Sequence, residues 1–192
     1  MIYTKKDLKF FLLEDRKRNN IPEGFLQYRI RLFARRENAL SFHYLQCLRR
    51  CEYYKNNSSK SFINKFLYLY FYYRLLRLGS KYSIQIRPNT CGFGLRIMHL
   101  SGGGGVILNV ERVGNYCGFN SGVILGNKDG EDNRPTVGDY TSFGPGAKAF
   151  GKITIGNNCF IASNSVVTKS FPDNCVIAGV PGRIIKTKEV RQ

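Results

Sequence analysis

From Val137 onward every sixth residue is apolar: Val137, Phe143, Ala149, Ile155, Ile161 and Val167. The position after each of the first five reads Gly138, Gly144, Phe150, Gly156 and Ala162, small with one exception. The fifth position holds Thr141, Ala147, Ile153, Cys159 and Ser165, again small or β-branched. An α-helix repeats every 3.6 residues and a strand every two, so neither accounts for this spacing. A flat-sided parallel coil does: each short strand supplies one inward apolar residue, a small residue lets the chain turn, and the next face begins. The series predicts a solenoid of stacked coils. Val113, Phe119 and Leu125 extend it upstream, and residues 83–91 start it.

Residues 127–136, Asn-Lys-Asp-Gly-Glu-Asp-Asn-Arg-Pro-Thr, are too polar to line an apolar interior. They are expected to project as a loop, where a rigid scaffold carries function. Ahead of the coil the pattern is helical. Thr4-Lys5-Lys6-Asp7 has the form of a capping box, and a first helix runs from there until Asn19-Asn20 break it. A second opens at Pro22 with Phe25, Tyr28, Ile30 and Phe33 as its apolar face, and a third follows Asn38 to about Lys55. A fourth covers residues 62–78. The chain therefore divides into an α-helical region, 1–80, and a coil region, 81–192.

Of the 30 Lys and Arg residues, 17 lie in residues 1–80, against 6 of the 13 Asp and Glu, so the helical part is the more basic section of a chain of net charge +17. Such a balance suits nucleic acid, an anionic membrane face or phosphorylated small molecules. No nucleic-acid module is legible, and no nucleic-acid partner is expected. The aromatic run Phe66–Tyr73 is too short and too rich in hydroxyls to span a bilayer, which takes about 20 apolar residues. It is read first as a helix packed on its neighbours or on other subunits, and second as an interfacial helix on an anionic lipid surface. Residues 1–15 lack the pattern of a secretory signal, so a cytoplasmic location is expected, with a peripheral place at the inner face of the cytoplasmic membrane as the variant. The six cysteines fit that compartment as buried thiols, Cys47 and Cys51 on one helical face included, and no metal is expected.

The chain has only two histidines. His43 sits among Phe42, Tyr44 and Leu45 and reads as packed or surface-exposed. His99 follows Leu95-Arg96-Ile97-Met98 and precedes Ser101-Gly102-Gly103-Gly104-Gly105. That glycine run lacks the Gly-Lys-Ser/Thr ending of a phosphate loop.

The order Ile86-Arg87-Pro88-Asn89-Thr90, then Gly92-Phe93-Gly94-Leu95-Arg96-Ile97-Met98-His99, then the hexads, Val167-Thr168-Lys169-Ser170-Phe171-Pro172 and Ala178-Gly179-Val180-Pro181-Gly182-Arg183, resembles the hexapeptide-repeat acyltransferases. Within them it is similar to the serine acetyltransferase-like branch, especially members tied to bacterial surface-polysaccharide synthesis. The resemblance implies a mainly β fold, a left-handed parallel β-helix with an α-helical N-terminal region, forming homotrimers with acetyl-CoA in clefts between coils. It matches His99 to the catalytic histidine, a general base that deprotonates an acceptor hydroxyl as it attacks the thioester. It maps the cofactor contacts onto Gly126, Asn127, Gly144, Pro145, Ala162, Ser163, Thr168 and Lys169. Two departures stand out. Where serine acetyltransferases carry an aspartate one coil before the histidine, this chain has Gln85-Ile86-Arg87; where they carry a second histidine before a proline, it has Arg134. With Gln85 and Arg134 as substrate-binding residues, Gln85, a backbone carbonyl, Glu111 or a neighbouring chain is left to orient His99. The expected acceptor is then a saccharide hydroxyl. Serine O-acetylation is the second reading, and a non-catalytic scaffold docking on a membrane or partner protein the third.

Overall fold

The computed structural model describes residues 1–100, 104–130 and 132–188. Four helices precede the coil: α1 (Lys5–Arg18), α2 (Phe25–Phe33), α3 (Glu37–Asn56) and α4 (Phe62–Tyr82). The capping box forms: Asp7 N–H donates to Thr4 Oγ1 at 3.0 Å and Thr4 N–H to Asp7 Oδ2 at 2.8 Å. The Thr4 N–H, and after it the Tyr3 N–H, hold the Asp7 carboxyl below its usual range. α2 begins at Phe25 behind Gly24 rather than at Pro22, and α4 runs on to Tyr82 before a left-handed Ser83 ends it. The face predicted for α2 is not buried as a unit. Tyr28 packs on Phe42, but Phe25, Ile30 and Phe33 are exposed, because α2 is short and meets α3 along one edge only.

From Ile84 the chain winds as a parallel β-helix with three faces. The first face stacks β1 (Ile84–Ile86), β3 (Val106–Leu108), β6 (Ile124–Gly126), β9 (Lys148–Phe150) and β12 (Val166–Val167). The second stacks β4 (Arg112–Val113), β7 (Thr136–Val137) and β10 (Thr154–Ile155), lengthened by single bridges at Cys91 and Phe171. The third stacks β2 (Arg96–Ile97), β5 (Gly118–Phe119), β8 (Ser142–Phe143), β11 (Phe160–Ile161) and β13 (Cys175–Ala178), closed by the antiparallel β14 (Arg183–Thr187). All six residues of the opening hexad series are buried, and register pairs them down the stack: Val113, Val137 and Ile155; Phe119, Phe143 and Ile161; Leu125, Ala149 and Val167.

The corner between the second and third faces is the most regular. Each leg across it, from Cys91 to Ile97, Val113 to Phe119, Val137 to Phe143, Ile155 to Ile161 and Phe171 to Ile177, is six residues long. Side-chain oxygens climb it as a ladder: Asp139 Oδ1 accepts from Asn115 N–H, Asn157 Oδ1 from Asp139 N–H and Asp173 Oδ1 from Asn157 N–H, each at 2.7 Å. One place further on, Tyr116, Tyr140, Asn158 and Asn174 all take positive φ. Gly114 is required beneath this ladder, since a Cβ there would lie 2.6 Å from Asp139 N and 2.7 Å from Gly138 C. Backbone cannot yield as a side-chain tip can, so Gly114→Ala is expected to lower unfolding free energy by about 1–3 kcal/mol. Equal urea midpoints for variant and parent would show that the corner gives way freely.

Extra residues enter only at the other two corners. The leg holding His99 is lengthened between Ile97 and Leu108, and the leg holding Arg134 between Leu125 and Val137.

The helices are sewn to the first coil through a buried ion network. Arg49 on α3 has no exposed side-chain surface; its Nε donates to Asp15 Oδ2 at 2.8 Å and its Nη1 to Glu52 Oε2 at 3.0 Å and to Cys91 O at 2.9 Å. Each carboxylate then accepts a backbone amide of the coil, Leu95 N–H on Asp15 and Asn89 N–H on Glu52. Burial alone would pull the guanidinium's pKa down, but the two carboxylates win and hold it raised. Burial pushes Glu52 up despite Arg49 and the Asn89 N–H. One apolar core runs through from Tyr44, Leu45 and Leu48 of α3 to Ile177 of β13.

Candidate active site

His99 lies on the corner between the third and first faces, two residues after Ile97. It takes a left-handed φ of +58°, whereas the coils that follow place that conformation one step later in the turn, on Gly122, Gly146 and Asn164. The longer leg that carries it accounts for the difference. Its side chain is 68% exposed, and its Nδ1 lies 3.9 Å from Oε2 of Glu37, in the first turn of α3. That separation is beyond hydrogen-bond range but within reach of charge attraction. The Glu37 carboxylate therefore lies on the Nδ1 side of the His99 ring. Ser41 Oγ, one turn along α3, donates to Ile97 O at 3.0 Å and fixes the helix against this corner.

Glu37 was not among the candidates for orienting His99. The groups the sequence offers are Gln85, Glu111, a backbone carbonyl or a neighbouring chain. Gln85 is exposed in the middle of β1 and borders a groove of about 900 Å³ between the first face and Leu75, Leu76 and Gly79 of α4. Glu111 is exposed, with its N–H bound to Pro135 O. A cue for Glu37 did exist in its position at a helix start, where carboxylates are favoured, but nothing in the sequence tied that helix to the corner.

The eight residues expected to meet the cofactor fall on two corners. Gly144, Pro145, Ala162 and Ser163 continue the corner that begins with His99: Gly144 N–H donates to Ile161 O, and Asn164 N–H to Pro145 O. Gly126, Asn127, Thr168 and Lys169 lie where the first face meets the second, with Asn127 Oδ1 accepting from Asn109 Nδ2 at 3.2 Å. The first face lies between the two sets. Pro145, Ser163, Thr168 and Lys169 are exposed, and Lys169 Nζ lies 5.7 Å from the Phe171 ring centre. Arg134 is half-buried in the loop leaving the second of these corners, and its buried Nε has no hydrogen-bond partner among the described residues. One chain therefore does not gather His99 and Arg134 on one corner. Ser101, Gly102 and Gly103, the start of the glycine run after His99, lie outside the described residues.

All six cysteines are free and buried. Burial pushes Cys47 up to about 11 and Cys51, Cys91 and Cys117 up to about 12, which keeps these thiols protonated and unreactive near neutral pH. Among the described residues no helix is long and apolar enough to cross a membrane, and no group of three or more His, Cys, Asp or Glu side chains could hold a metal.

A parallel β-helix behind a group of helices is the fold also seen in solved serine acetyltransferases. No family model matches the chain. It is 39% identical over 111 residues to a serine acetyltransferase of Synechococcus elongatus, covering 56% of this chain and 45% of that protein, so it spans less than half the length of this relative. A crystal structure of serine acetyltransferase from Brucella abortus superposes with a TM-score of 0.70 at 23% identity, over 96% of this chain and 71% of that one. A serine acetyltransferase solved in complex with CoA matches at 30% identity and a TM-score of 0.61, over 76% and 57%.

These likenesses overturn the expectation of a saccharide acceptor and of a polysaccharide-branch protein. The expectation rests on the aspartate and histidine of the serine enzymes that this chain lacks, while the similar proteins are serine acetyltransferases. A missing side chain reports on one contact. Glu37 now presents a carboxylate to His99 by another route.

Proposed function

We propose that the chain is an acetyl-CoA-dependent O-acetyltransferase of the serine acetyltransferase kind, with His99 as general base. The observation that carries this reading is the 39% identity over 111 residues to a serine acetyltransferase. In the proposed step the serine hydroxyl attacks the thioester carbonyl while His99 Nε2 takes its proton. The carbon–sulfur bond then breaks, and the imidazolium returns the proton to the coenzyme thiolate. Glu37 steadies the imidazolium. Arg134 suits the serine carboxylate, since a guanidinium binds carboxylates in a fixed fork. Gly126, Asn127, Gly144, Pro145, Ala162, Ser163, Thr168 and Lys169 are assigned to the coenzyme, the small residues by allowing close approach to backbone amides and Lys169 by charge.

The reading extends to assembly. A homotrimer would set the His99 corner of one copy against the Arg134 loop of the next. The exposed stripe of α4, Phe62, Phe66, Leu69, Tyr73 and Leu76, is assigned to contacts between copies rather than to lipid. The division of labour falls near residue 80, with the coil as the reacting part. The purified protein with acetyl-CoA and L-serine is expected to release CoA thiol and form O-acetylserine, with light scattering showing more than one chain per particle. No thiol release with serine, or a monomer that turns over at full rate, would remove the corresponding half of the proposal.

A further inference from the structure

A second basic feature lies away from the coil. Arg16, Arg29, Arg50 and Arg74 line a cavity of about 440 Å³ between the end of α1 and α2, α3 and α4, with His43 on its wall and Glu23 as its one carboxylate. None of the four arginines makes an ion pair among the described residues. Their bonds go to neutral groups: Arg16 Nη2 to Pro22 O, Arg50 Nη1 to Gln46 O at 3.0 Å and Arg74 Nη2 to His43 Nε2 at 3.1 Å. The buried Nε of Arg16 has no hydrogen-bond partner among the described residues. The contrast with Arg49, on the same helix as Arg50, is direct: there two carboxylates satisfy one guanidinium.

His43 reads the resulting field. Arg74 can only donate, so His43 Nε2 accepts and its Nδ1–H donates to Tyr82 Oη at 3.1 Å, which assigns the neutral form. Burial first, then Arg74, Lys81, Arg29 and Arg50, hold its pKa down at about 4. Four aromatic residues, Phe25, Tyr28, Phe42 and Phe71, share the rest of the wall with Leu32, Gln46 and Cys47, and the Arg29 guanidinium lies 6.0 Å over the Phe25 ring. Convergent guanidinium groups favour phosphate oxygens, and aromatic faces favour a planar ring. The volume falls in the range of small-ligand pockets, roughly 300–1,000 Å³.

We propose that this cavity is a binding site for a nucleotide, its phosphates on Arg16, Arg29 and Arg50 and its base against the aromatic wall, separate from the corners assigned to the acyl donor. It does not rest on the acyl-transfer reading and survives if that reading fails.

With two histidines the imidazole proton spectrum has two sets of signals, which makes His43 a reporter of its own cavity. ADP added to the full-length protein is expected to move the His43 signals, leave those of His99 in place and raise the His43 pKa, since the anion offsets the surrounding arginines. By calorimetry, Arg29→Gln and Arg50→Gln are each expected to weaken ADP binding about tenfold, the loss of one charged hydrogen bond, without altering the thermal midpoint. Pyrophosphate should still bind and adenosine should bind at least about tenfold more weakly than ADP. His43 unmoved at millimolar ADP, adenosine binding as well as ADP, or both variants binding like the parent would overturn the proposal. CoA that moves His43 as ADP does would identify the cavity as the donor's own nucleotide site and would likewise overturn a separate one.

Discussion

His99→Ala is expected to lower the rate of acetyl transfer by about 10²–10⁴-fold, the range that a positioned general base supplies. The side chain is exposed and makes no structural hydrogen bond among those described, so the variant should fold and assemble as the parent does. CoA affinity should change little, because the coenzyme is assigned to other residues. Thiol release in a steady-state assay, with calorimetric CoA binding beside it, separates the two effects. Glu37→Gln is expected to cost less, about ten- to a hundredfold, because the carboxylate acts through the imidazole and not on the reacting atoms. If Glu37 is a positioning residue, the loss should fall in kcat, and Glu37→Asp should restore part of it. Parent-like turnover in His99→Ala would take the base away from this corner altogether.

Arg49→Ala should be the most destabilising single change outside the coil, at about 3–5 kcal/mol, because it strands Asp15 and Glu52 as buried carboxylates without their cation. Urea unfolding followed by circular dichroism reads this as a fall in midpoint with an unchanged slope. Replacing all three members with apolar residues should recover only part of the loss. The Leu95 and Asn89 amides would then lose the acceptors that Asp15 and Glu52 provide, and buried N–H groups without partners are costly. A midpoint for Arg49→Ala that matches the parent would mean that the network is solvated in solution. The variant also carries a functional forecast. Arg49 and Glu37 share α3, so loosening the seam should lower turnover beyond the loss of folded protein.

The coil could be read from its sequence because its repeat is local and redundant. Val137, Phe143 and Ala149 each recur in register with a residue of the next coil, and no single exception such as Phe150 breaks the pattern. The capping box at Thr4 was legible for the same reason, being complete within four residues. His99 stood out through scarcity. What stayed hidden was long-range pairing between unlike elements. Asp15, Arg49 and Glu52 look like ordinary helix-surface charges until α1 and α3 are laid against Cys91 and Leu95, and Glu37 meets His99 only by that docking. The apolar residues of α2 misled in the opposite direction, since Phe33 is 92% exposed. The acceptor was not legible from two missing side chains, because each reports on one contact while the likeness to serine acetyltransferases extends over 111 residues.

The legs across the second-to-third corner keep one length through all five coils, while added residues collect at the two corners beside the first face. This makes the solenoid unequal as a substrate for evolution and for engineering. One edge acts as a ruler: an insertion there would shift the Asn/Asp ladder out of step and carry every later coil with it. The other two edges can absorb changes in length without transmitting them, as a hinge-pinned stack lets its free margins vary. New chemistry can therefore be grafted at the His99 and Arg134 corners at small cost to folding. A peptide inserted after Gly104 or Asn127 should be tolerated where the same peptide after Asn115 is not.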